Sequence, residues 1–253
     1  MPEILKNVFA MKIALLGYGK MGREVEKTAS HRGHEITLII DSTEDWKKLG
    51  SKLTEADVAI EFTTRQSVID NIHHCFDTGI PVVVGTTGWM ESLPAIRTEC
   101  LDRGCSLFYA PNFSIGVNLF FELNKFLASK MSEWTGYEIS LEETHHIHKQ
   151  DAPSGTAIVL ANDIIRLIGR KEKWVKEAAE SSADIGIRSV RMEDVTGTHK
   201  VIYDSEEDMI EIVHTAKNRK GFSQGAILAA EWLTGKKGFY EMNDLLQNLK
   251  KQK

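Results

Sequence analysis

Lys12-Ile-Ala-Leu-Leu-Gly-Tyr-Gly-Lys-Met-Gly22 is the stretch that decides the fold. An apolar segment with strand character runs directly into a Gly-x-Gly-x-x-Gly loop, and a helical pattern begins as the loop ends. Each glycine then serves a physical purpose, since Gly17 makes a tight turn, Gly19 lets a pyrophosphate approach the backbone, and Gly22 lets the helix pack closely on the strand. The stretch favours a dinucleotide-binding unit over a glycine turn of purely structural use.

A carboxylate occupies the position at which a dinucleotide-binding unit contacts the adenosine ribose. Asp41 ends the second predicted strand, 19 positions after Gly22. Its oxygens can accept hydrogen bonds from the adenosine ribose and would repel a 2′-phosphate, so NADH is slightly favoured over NADPH. Lysines at 20, 47 and 48 could offset that repulsion or be solvated surface charges, and both nucleotides stay open.

Short apolar segments alternate with helical stretches as far as about Asn112, which is typical of βαβ units and a doubly wound parallel sheet. The predicted strands are 12–16, 35–40, 58–62, 81–84 and 106–109, and the clearest helices are 21–30 and 66–78. Loops at 62–65 and 85–88 leave strand ends on the side of the glycine loop. They would border the nicotinamide half of a dinucleotide, although as isolated tetrapeptides they could equally be turns.

The pattern changes after Asn112. An amphipathic helix at 116–131 is followed by period-two segments at 138–142, 187–191, 200–204 and 209–214, which predict a second, more antiparallel sheet. We expect a loop or irregular helix at 170–184 and a helix at 223–233. The fold class is therefore α/β: a Rossmann-like doubly wound parallel sheet with a second α+β domain that contains a mostly antiparallel or mixed sheet.

The segment Glu143-Thr-His-His-Ile-His-Lys-Gln-Asp-Ala-Pro-Ser-Gly-Thr156 concentrates cationic groups beside a predicted helix start. Ser154 is the expected N-cap of a helix at 157–168 that ends at Gly169, so the amides of Gly155 and Thr156 should point outward and bind a carboxylate. Histidine has an ordinary pKa of about 6.5, so an imidazole here can act as a general acid near neutral pH. The segment predicts a small acidic substrate, with candidate acids His145, His146 and His148 and a fixed positive charge at Lys149.

Three close histidines also suggest a metal site. In an extended segment, however, His146 would point away from His145 and His148, and no acidic cluster is obviously added, so we expect no metal. His199 and His214 lie in strand patterns, where they could be structural or border the substrate, and the role of Arg219 is open between ion pairing and substrate contact.

Composition sets further bounds. The chain has 253 residues, with 42% hydrophobic and 26% charged residues, which suffices for one large domain or two modest ones. A net charge of -5 gives no footprint for nucleic acid and no basic face for a membrane.

No segment nears the roughly 18 to 20 apolar residues of a membrane span, and the start is not a convincing signal peptide. Three cysteines without CxxC spacing suggest reduced thiols in the cytoplasm. Residues 1–10 are either a short extension or the product of an upstream start codon.

These motifs resemble those of the dihydrodipicolinate reductase family, the 4-hydroxy-tetrahydrodipicolinate reductases of the lysine and diaminopimelate pathway. The resemblance spans nearly the whole chain, and the histidine segment is its most specific part. It rests on 17–22, Gly85-Thr-Thr-Gly88, Ala110-Pro-Asn-Phe-Ser114, His145-His-Ile-His-Lys149, Asp151-Ala-Pro-Ser-Gly-Thr156, Gly197-Thr-His199, Glu211-Ile-Val-His214 and 219–232.

The resemblance implies an enzyme that reduces a cyclic dicarboxylate with NADH or NADPH after its hydroxyl is lost as water. It implies a dinucleotide-binding domain at 1–114 plus 219–253, a substrate and oligomerisation domain at 115–218, and a homotetramer formed through the second-domain sheets. It also makes His145 the proton donor, aided by Lys149, and places the substrate on His146, Ser154, Gly155 and Thr156. The implied cofactor contacts are Gly17, Tyr18, Gly19, Lys20, Met21, Gly22, Asp41, Phe62, Thr63, Gly85, Thr86, Thr87, Ala110, Pro111, Asn112 and Phe113.

Two positions depart from the family pattern. Ile147 stands where a basic residue is common, which removes one polar contact, and the glycine loop is one residue shorter than in many members, which alters the pyrophosphate contacts. Two other functions share the first domain. A reductase of the aspartate dehydrogenase type gives no reason for the segment 145–156, and a non-catalytic NADH sensor would call for a DNA-binding module or a basic stripe.

Overall fold

A parallel sheet forms the centre of the first part of the fold in the computed structural model, which describes residues 9–251; residues 1–8, in the possible N-terminal extension, and residues 252–253 lie outside the described residues. The strands follow the order β11-β5-β4-β3-β1-β2, and all neighbours are parallel. Strand order reverses between β1 and β3, where doubly wound sheets bind ligands. Their bounds are β1 (Lys12–Leu16), β2 (Glu35–Ile40), β3 (Val58–Glu61), β4 (Val82–Val84), β5 (Ser106–Tyr109) and β11 (Gly238–Glu241).

Helices cover both faces of this sheet, which confirms the Rossmann-like prediction. Ala14 and Leu16 of β1 pack into one apolar cluster, which includes α3 and α4 side chains, whereas Ile13 and Leu15 pack into another with α1, α7 and α8. Burial on both sides explains why the strands are apolar throughout. The helices are α1 (Lys20–His31), α2 (Thr43–Leu49), α3 (Val68–Thr78), α4 (Leu93–Asp102), α7 (Lys220–Leu233) and α8 (Met242–Lys251), with a 3-10 helix at Gly50–Glu55.

A second sheet, in the order β10-β9-β6-β8-β7, is mixed. The β10, β9 and β6 strands pair antiparallel, and the β6, β8 and β7 strands pair parallel. Side chains on one sheet face pack with α5 and α6 in a single apolar cluster. The elements are α5 (Ile115–Met131), β6 (Glu138–His145), α6 (Gly155–Leu167), β7 (Lys173–Lys176), β8 (Asp184–Arg191), β9 (Gly197–Asp204) and β10 (Met209–Ala216).

Contacts divide the chain into two units. Unit 1 runs to Ile115 and resumes at Lys220, and unit 2 comprises Gly116–Arg219. Unit 1 thus consists of two separate stretches of sequence. Across residues 9–251, the helices lack the combination of length and apolarity that crossing a bilayer requires.

Two sequence predictions were wrong in their details. The expected loop at 170–184 contains β7, whose Trp174 and Val175 are only half-buried between charged residues, so its pattern is weak. The helix predicted at 157–168 is observed as α6 over Gly155–Leu167, with Ile168 as its C-cap. The β11 strand and α8 helix at the end of the chain were not predicted, and β11 is likewise a short edge strand with half-buried side chains.

Gly225 tests how closely α7 approaches the chain in unit 1. A Cβ at this position would lie 1.8 Å from the carbonyl oxygen of Phe113, so an alanine needs a backbone shift. We expect Gly225→Ala to lower the free energy of unfolding by about 1–3 kcal/mol, measured by urea denaturation, although alanine is the better helix former. Gly169→Ala is the control, because its Cβ would meet no atom within 4 Å. Equal stability of the two variants would contradict the packing argument.

Candidate active site

The glycine loop in unit 1 has room for a phosphate group. Gly17 has a φ of +97°, which favours glycine, and a Cβ at Gly22 would lie 2.2 Å from the Gly17 carbonyl oxygen. Gly22 therefore packs first against the loop itself rather than against the strand proper. A Cβ at Gly19 would meet nothing within 4 Å, and Gly19 caps α1 without a side-chain hydrogen bond. Open space beside the free amides of a helix start fits a pyrophosphate.

Asp41 is tied to the same loop. The Tyr18 amide donates a hydrogen bond to Asp41 Oδ1 at 2.6 Å, which uses one carboxylate oxygen and leaves the other for a ribose hydroxyl. Lys48 forms an exposed ion pair with Glu44 at 3.3 Å, so it is engaged elsewhere, whereas Lys20 is exposed as the first residue of α1. The arrangement fits a nucleotide with a free ribose.

The loops after β3 and β4 are joined by a buried carboxylate that the sequence reasoning missed. Glu61, at the end of β3, is fully buried. The Thr63 amide donates to Glu61 Oε1 at 3.0 Å and to Thr86 Oγ1 at 2.8 Å, and Asn71 of α3 donates to both Glu61 and Thr63. Burial raises the pKa of Glu61, against the opposing effect of these hydrogen bonds. Two candidate cofactor residues are thereby fixed side by side.

Aromatic packing brings the remaining candidate loops together. A Cβ at Gly85 would lie 2.1 Å from the Phe62 ring, so only glycine leaves space for that ring. The Phe62 ring meets Phe113 edge-on at 5.9 Å, and the Ser114 amide donates to Asn112 Oδ1 at 2.9 Å. Ala110 is buried, Met21 is half-buried, and Pro111 and Thr87 are exposed. The predicted cofactor residues of unit 1 therefore include both loop-building and exposed positions.

In unit 2, the alternation of side chains along each strand decides which polar groups lie on the buried face of the sheet. Ile139 and Leu141 of β6 are buried in the apolar cluster, and the same face continues to Glu143 and then His145, where the strand ends. Register places Ser189 of β8 and His199 of β9 opposite Glu143, and Arg191 opposite His145. One end of the buried sheet face is therefore polar.

Glu143 is the centre of this cluster and has no exposed surface. Its Oε2 lies 3.2 Å from His145 Nδ1, and its Oε1 accepts from Ser189 Oγ at 2.9 Å and from Arg191 at 3.3 Å. Burial alone would raise the pKa of Glu143, but interactions with His145, Ser154 and Ser189 outweigh it and hold that pKa well below its ordinary value. The carboxylate is therefore ionised at neutral pH.

His199 links this cluster to the start of α6. Its Nε2 lies 3.0 Å from Ser154 Oγ, and its ring meets the His145 ring edge-on at 5.0 Å. Burial, with a contribution from His145, lowers the pKa of His199 to about 3, so this imidazole is neutral. Ser154 Oγ also accepts from the Ala157 amide at 3.3 Å, which makes Ser154 the N-cap of a helix that begins at Gly155. Gly155 is exposed and Thr156 half-buried.

The segment after His145 is a turn, so the expectation of extended chain was wrong. The Lys149 amide donates to the His146 carbonyl at 3.1 Å, and the His146 and His148 rings lie 6.2 Å apart instead of pointing away from each other. Burial and the positive charge of Arg219 lower the pKa of His146. Lys149 Nζ pairs with Asp151 at 2.8 Å. Ile147 and His148 are the exposed side chains of this turn.

Arg191 holds the end of that turn in place. It donates to the carbonyls of Asp151 at 2.7 Å and Lys149 at 3.4 Å while also contacting Glu143. The sequence reasoning missed Glu143 and Arg191 and left His199 open. A usable signal existed, because residues 139, 141, 143 and 145, and likewise 185, 187, 189 and 191, share one face of their strands.

An acidic residue does join the histidines, contrary to the expectation from sequence. Glu143, His145 and His199 each offer a ligand atom, and these atoms lie within 4.8 Å of one another. The carboxylate, however, already receives Ser189 and the cation of Arg191, which would repel a metal ion. The cluster is better explained as a hydrogen-bonding and ion-pair network, and the absence of a metal remains a prediction.

The strand ends of unit 1 fit a dinucleotide, and unit 2 holds a buried imidazole beside an ionised carboxylate and a capped helix start. Fold and site together define an oxidoreductase with a nicotinamide cofactor. The family model for the N-terminus of dihydrodipicolinate reductase matches residues 11–113, and that for the C-terminus matches residues 116–246. The chain belongs to the dihydrodipicolinate reductase family.

Individual relatives agree. The chain is 44% identical over 239 residues to a 4-hydroxy-tetrahydrodipicolinate reductase of Christiangramia forsetii, covering 94% of this chain and 99% of the relative. It is 34% identical over 264 residues to one of Archaeoglobus fulgidus, covering 94% and 100%. A dipicolinate-bound dihydrodipicolinate reductase from Paenisporosarcina sp. TG-14 shares the fold, with a TM-score of 0.75 at 23% identity over 92% of this chain and 98% of that one. The aspartate dehydrogenase type and the NADH sensor are not retained.

Dialysis against a chelator is expected to leave kcat/KM unchanged, because the Glu143 carboxylate, which would have to neutralise a bound metal ion, is already paired with Arg191. The assay compares protein dialysed against EDTA with protein dialysed against buffer. A loss of activity that Zn²⁺ restores would contradict this prediction.

Proposed function

We propose that the chain reduces 4-hydroxy-tetrahydrodipicolinate to tetrahydrodipicolinate with loss of water, with NADH slightly favoured over NADPH. The observation that carries the proposal is His145, buried at the end of β6 with Nδ1 toward Glu143 and next to the capped start of α6. Reduction of a cyclic dicarboxylate requires an acid beside a site for a carboxylate, and this arrangement supports the proposal.

Nucleotide binding is assigned to residues 1–114 with 219–253, and substrate binding and oligomerisation to 115–218. The nicotinamide cofactor supplies the hydride when bound. Three features support the assignment of the cofactor to the first region: the open space at Gly19, the second oxygen of Asp41, and the hydrogen-bonded pair Thr63 and Thr86. The other proposed contacts are Gly17, Tyr18, Lys20, Met21, Gly22, Phe62, Gly85, Thr87, Ala110, Pro111, Asn112 and Phe113.

The substrate carries two carboxylates, which call for cations and oriented amides. The amides of Gly155 and Thr156 at the start of α6, with Ser154 and His146, hold one carboxylate, and Lys149 adds positive charge. Reduction of the conjugated imine leaves an enamine that must be protonated. His145 gives that proton, and Lys149 assists. Ile147 offers no charge to the substrate.

The proposed assembly is a homotetramer formed through the second sheet. Its support is the sheet face opposite α5 and α6, where Met209 and Val213 of β10 are 55% and 51% exposed. Exposed apolar side chains on a sheet face favour burial against another copy. We also assign the enzyme to the cytoplasm, in keeping with three free, buried cysteines. Nucleic acid and membrane are not proposed partners.

Catalytic roles are tested with His145→Gln and Lys149→Ala. Loss of a general acid is expected to lower kcat by roughly 10² to 10⁴ with modest change in KM for the substrate, and loss of Lys149 to act in the same way. The measurement follows cofactor oxidation with the condensation product of pyruvate and aspartate semialdehyde. The exposed His31 provides the control His31→Gln, which should match the unaltered protein. Full kcat in either site variant would remove that residue from the mechanism.

Cofactor preference is tested with Asp41→Asn. This change removes the negative charge but keeps an acceptor for the Tyr18 amide. We expect the ratio of kcat/KM for NADH over NADPH to fall by about fivefold, since one pair of charges near 4 Å is worth about 1 kcal/mol in water. The exposed Glu55 gives the control Glu55→Gln. An unchanged ratio would show that Asp41 does not read the ribose, and no oxidation of either nucleotide by the unaltered protein would defeat the proposed function.

A further inference from the structure

The two nitrogens of the His145 ring have different surroundings. Nδ1 and Glu143 Oε2 lie 3.2 Å apart and both are buried; among the described residues neither atom makes a hydrogen bond of good geometry, and their mutual approach is a close ion-pair contact. Their mutual approach is therefore the main polar interaction of each. On the other side of the ring, a Cβ at Gly197 would lie 2.9 Å from Nε2. The absence of a side chain at Gly197 leaves space in front of the nitrogen that does not face the carboxylate.

The carboxylate itself is held from the other side. Ser189 and Arg191 occupy Oε1, so Oε2 is the oxygen left for His145. Ser154 and His199 complete the surroundings, with His199 Nε2 3.9 Å from Oε2 and 3.0 Å from Ser154 Oγ. Glu143 thus connects the imidazole to the cap of α6, where the substrate carboxylate is proposed to bind.

We propose that Glu143 is a positioning residue for proton transfer: its carboxylate holds Nδ1–H of His145 and stabilises the imidazolium, so that Nε2 delivers the proton to the substrate. This inference rests on the proposed function. In the step, the Nε2–H bond breaks as the new C–H bond forms, which leaves a neutral imidazole that still carries the Nδ1 proton. Solvent returns the lost proton.

Several charged and titratable groups surround His145, and they set the sign of the expected effect. Glu143 is the anion nearest the ring, whereas Arg191 on β8 and Lys149 after the turn are cations, the latter paired with Asp151. His199 is a direct neighbour, with its ring 5.0 Å from the His145 ring. His146 lies in the turn, and Arg219, His148 and His214 belong to the same electrostatic network. Removing the Glu143 charge leaves the cations in excess. The imidazolium of the variant then gives up its proton more readily. The loss of activity on the alkaline side should therefore begin at a lower pH.

The experiment is Glu143→Gln, which keeps the size and an acceptor oxygen but removes the charge. We expect kcat at pH 8 to fall about 10- to 100-fold, KM for substrate and nucleotide to change less than about threefold, and the alkaline fall of kcat to move down by about one pH unit. Glu172→Gln, at an exposed position of the same unit, is the matched control. A variant with unaltered kcat and pH profile, or with a loss of kcat equal at all pH values, would overturn the proposal.

Two measurements keep the result interpretable. Ser189→Ala removes one hydrogen bond to the carboxylate and keeps its charge, so it should show a smaller effect in the same direction even if Glu143→Gln folds poorly. Titration of ¹⁵N-labelled histidine by NMR, with His145 assigned from the His145→Gln spectrum, should show a lower His145 pKa in Glu143→Gln whether or not the protein turns over this substrate. Failure of the unaltered protein in the reductase assay would defeat the proposed function, whereas an unshifted His145 titration would defeat the role of Glu143.

Discussion

In the second sheet, side chains alternate between the two faces of each strand, so the face that carries the apolar core also carries the polar groups of the site. In β6, Ile139 and Leu141 fill the core, and the next two side chains on that face are Glu143 and His145. The β8 strand repeats the order, with Ile185 and Ile187 before Ser189 and Arg191. A slip of one residue in either pairing would turn the polar groups to the opposite face and expose the core. The register that buries the core therefore also aligns the proton donor with its carboxylate.

Burial of Glu143 has an energetic cost that the surrounding groups must offset. A carboxylate without water needs hydrogen bonds and positive charge, and Ser189, Arg191 and His145 supply both. These groups come from two neighbouring strands, β6 and β8, so the site cannot form before the strands pair. Unit 1 contains a comparable arrangement in Glu61, whose contacts with Thr63 and Asn71 fix the loop after β3. In both units, a buried carboxylate at a strand end organises residues that lie closer to the surface.

Much of this could be predicted from sequence, for identifiable reasons. Strands buried on both faces are apolar throughout, and the glycine loop has few other uses, so β1 to β5 were placed within one residue of their observed bounds. The β7 and β11 strands escaped because edge strands leave side chains half-exposed. The Ser154 cap is a local signal and was predicted. Alternation puts Glu143 and Arg191 on the buried face of their own strands, but their contact joins residues 48 positions apart in sequence, and no local pattern pairs them.

The last strand of the parallel sheet has a consequence for how the molecule is made. Because β11 pairs with β5 and the α7 helix covers one sheet face, the N-terminal portion lacks its edge strand and part of its cover until residues 220–241 have left the ribosome. Unit 2, a continuous stretch of chain, can meanwhile complete its own sheet. Biosynthesis thus leaves an unpaired β5 edge, a surface prone to association, exposed for the time needed to translate more than a hundred codons. A ribosome stalled shortly before Gly238 would carry a chain with that edge still open.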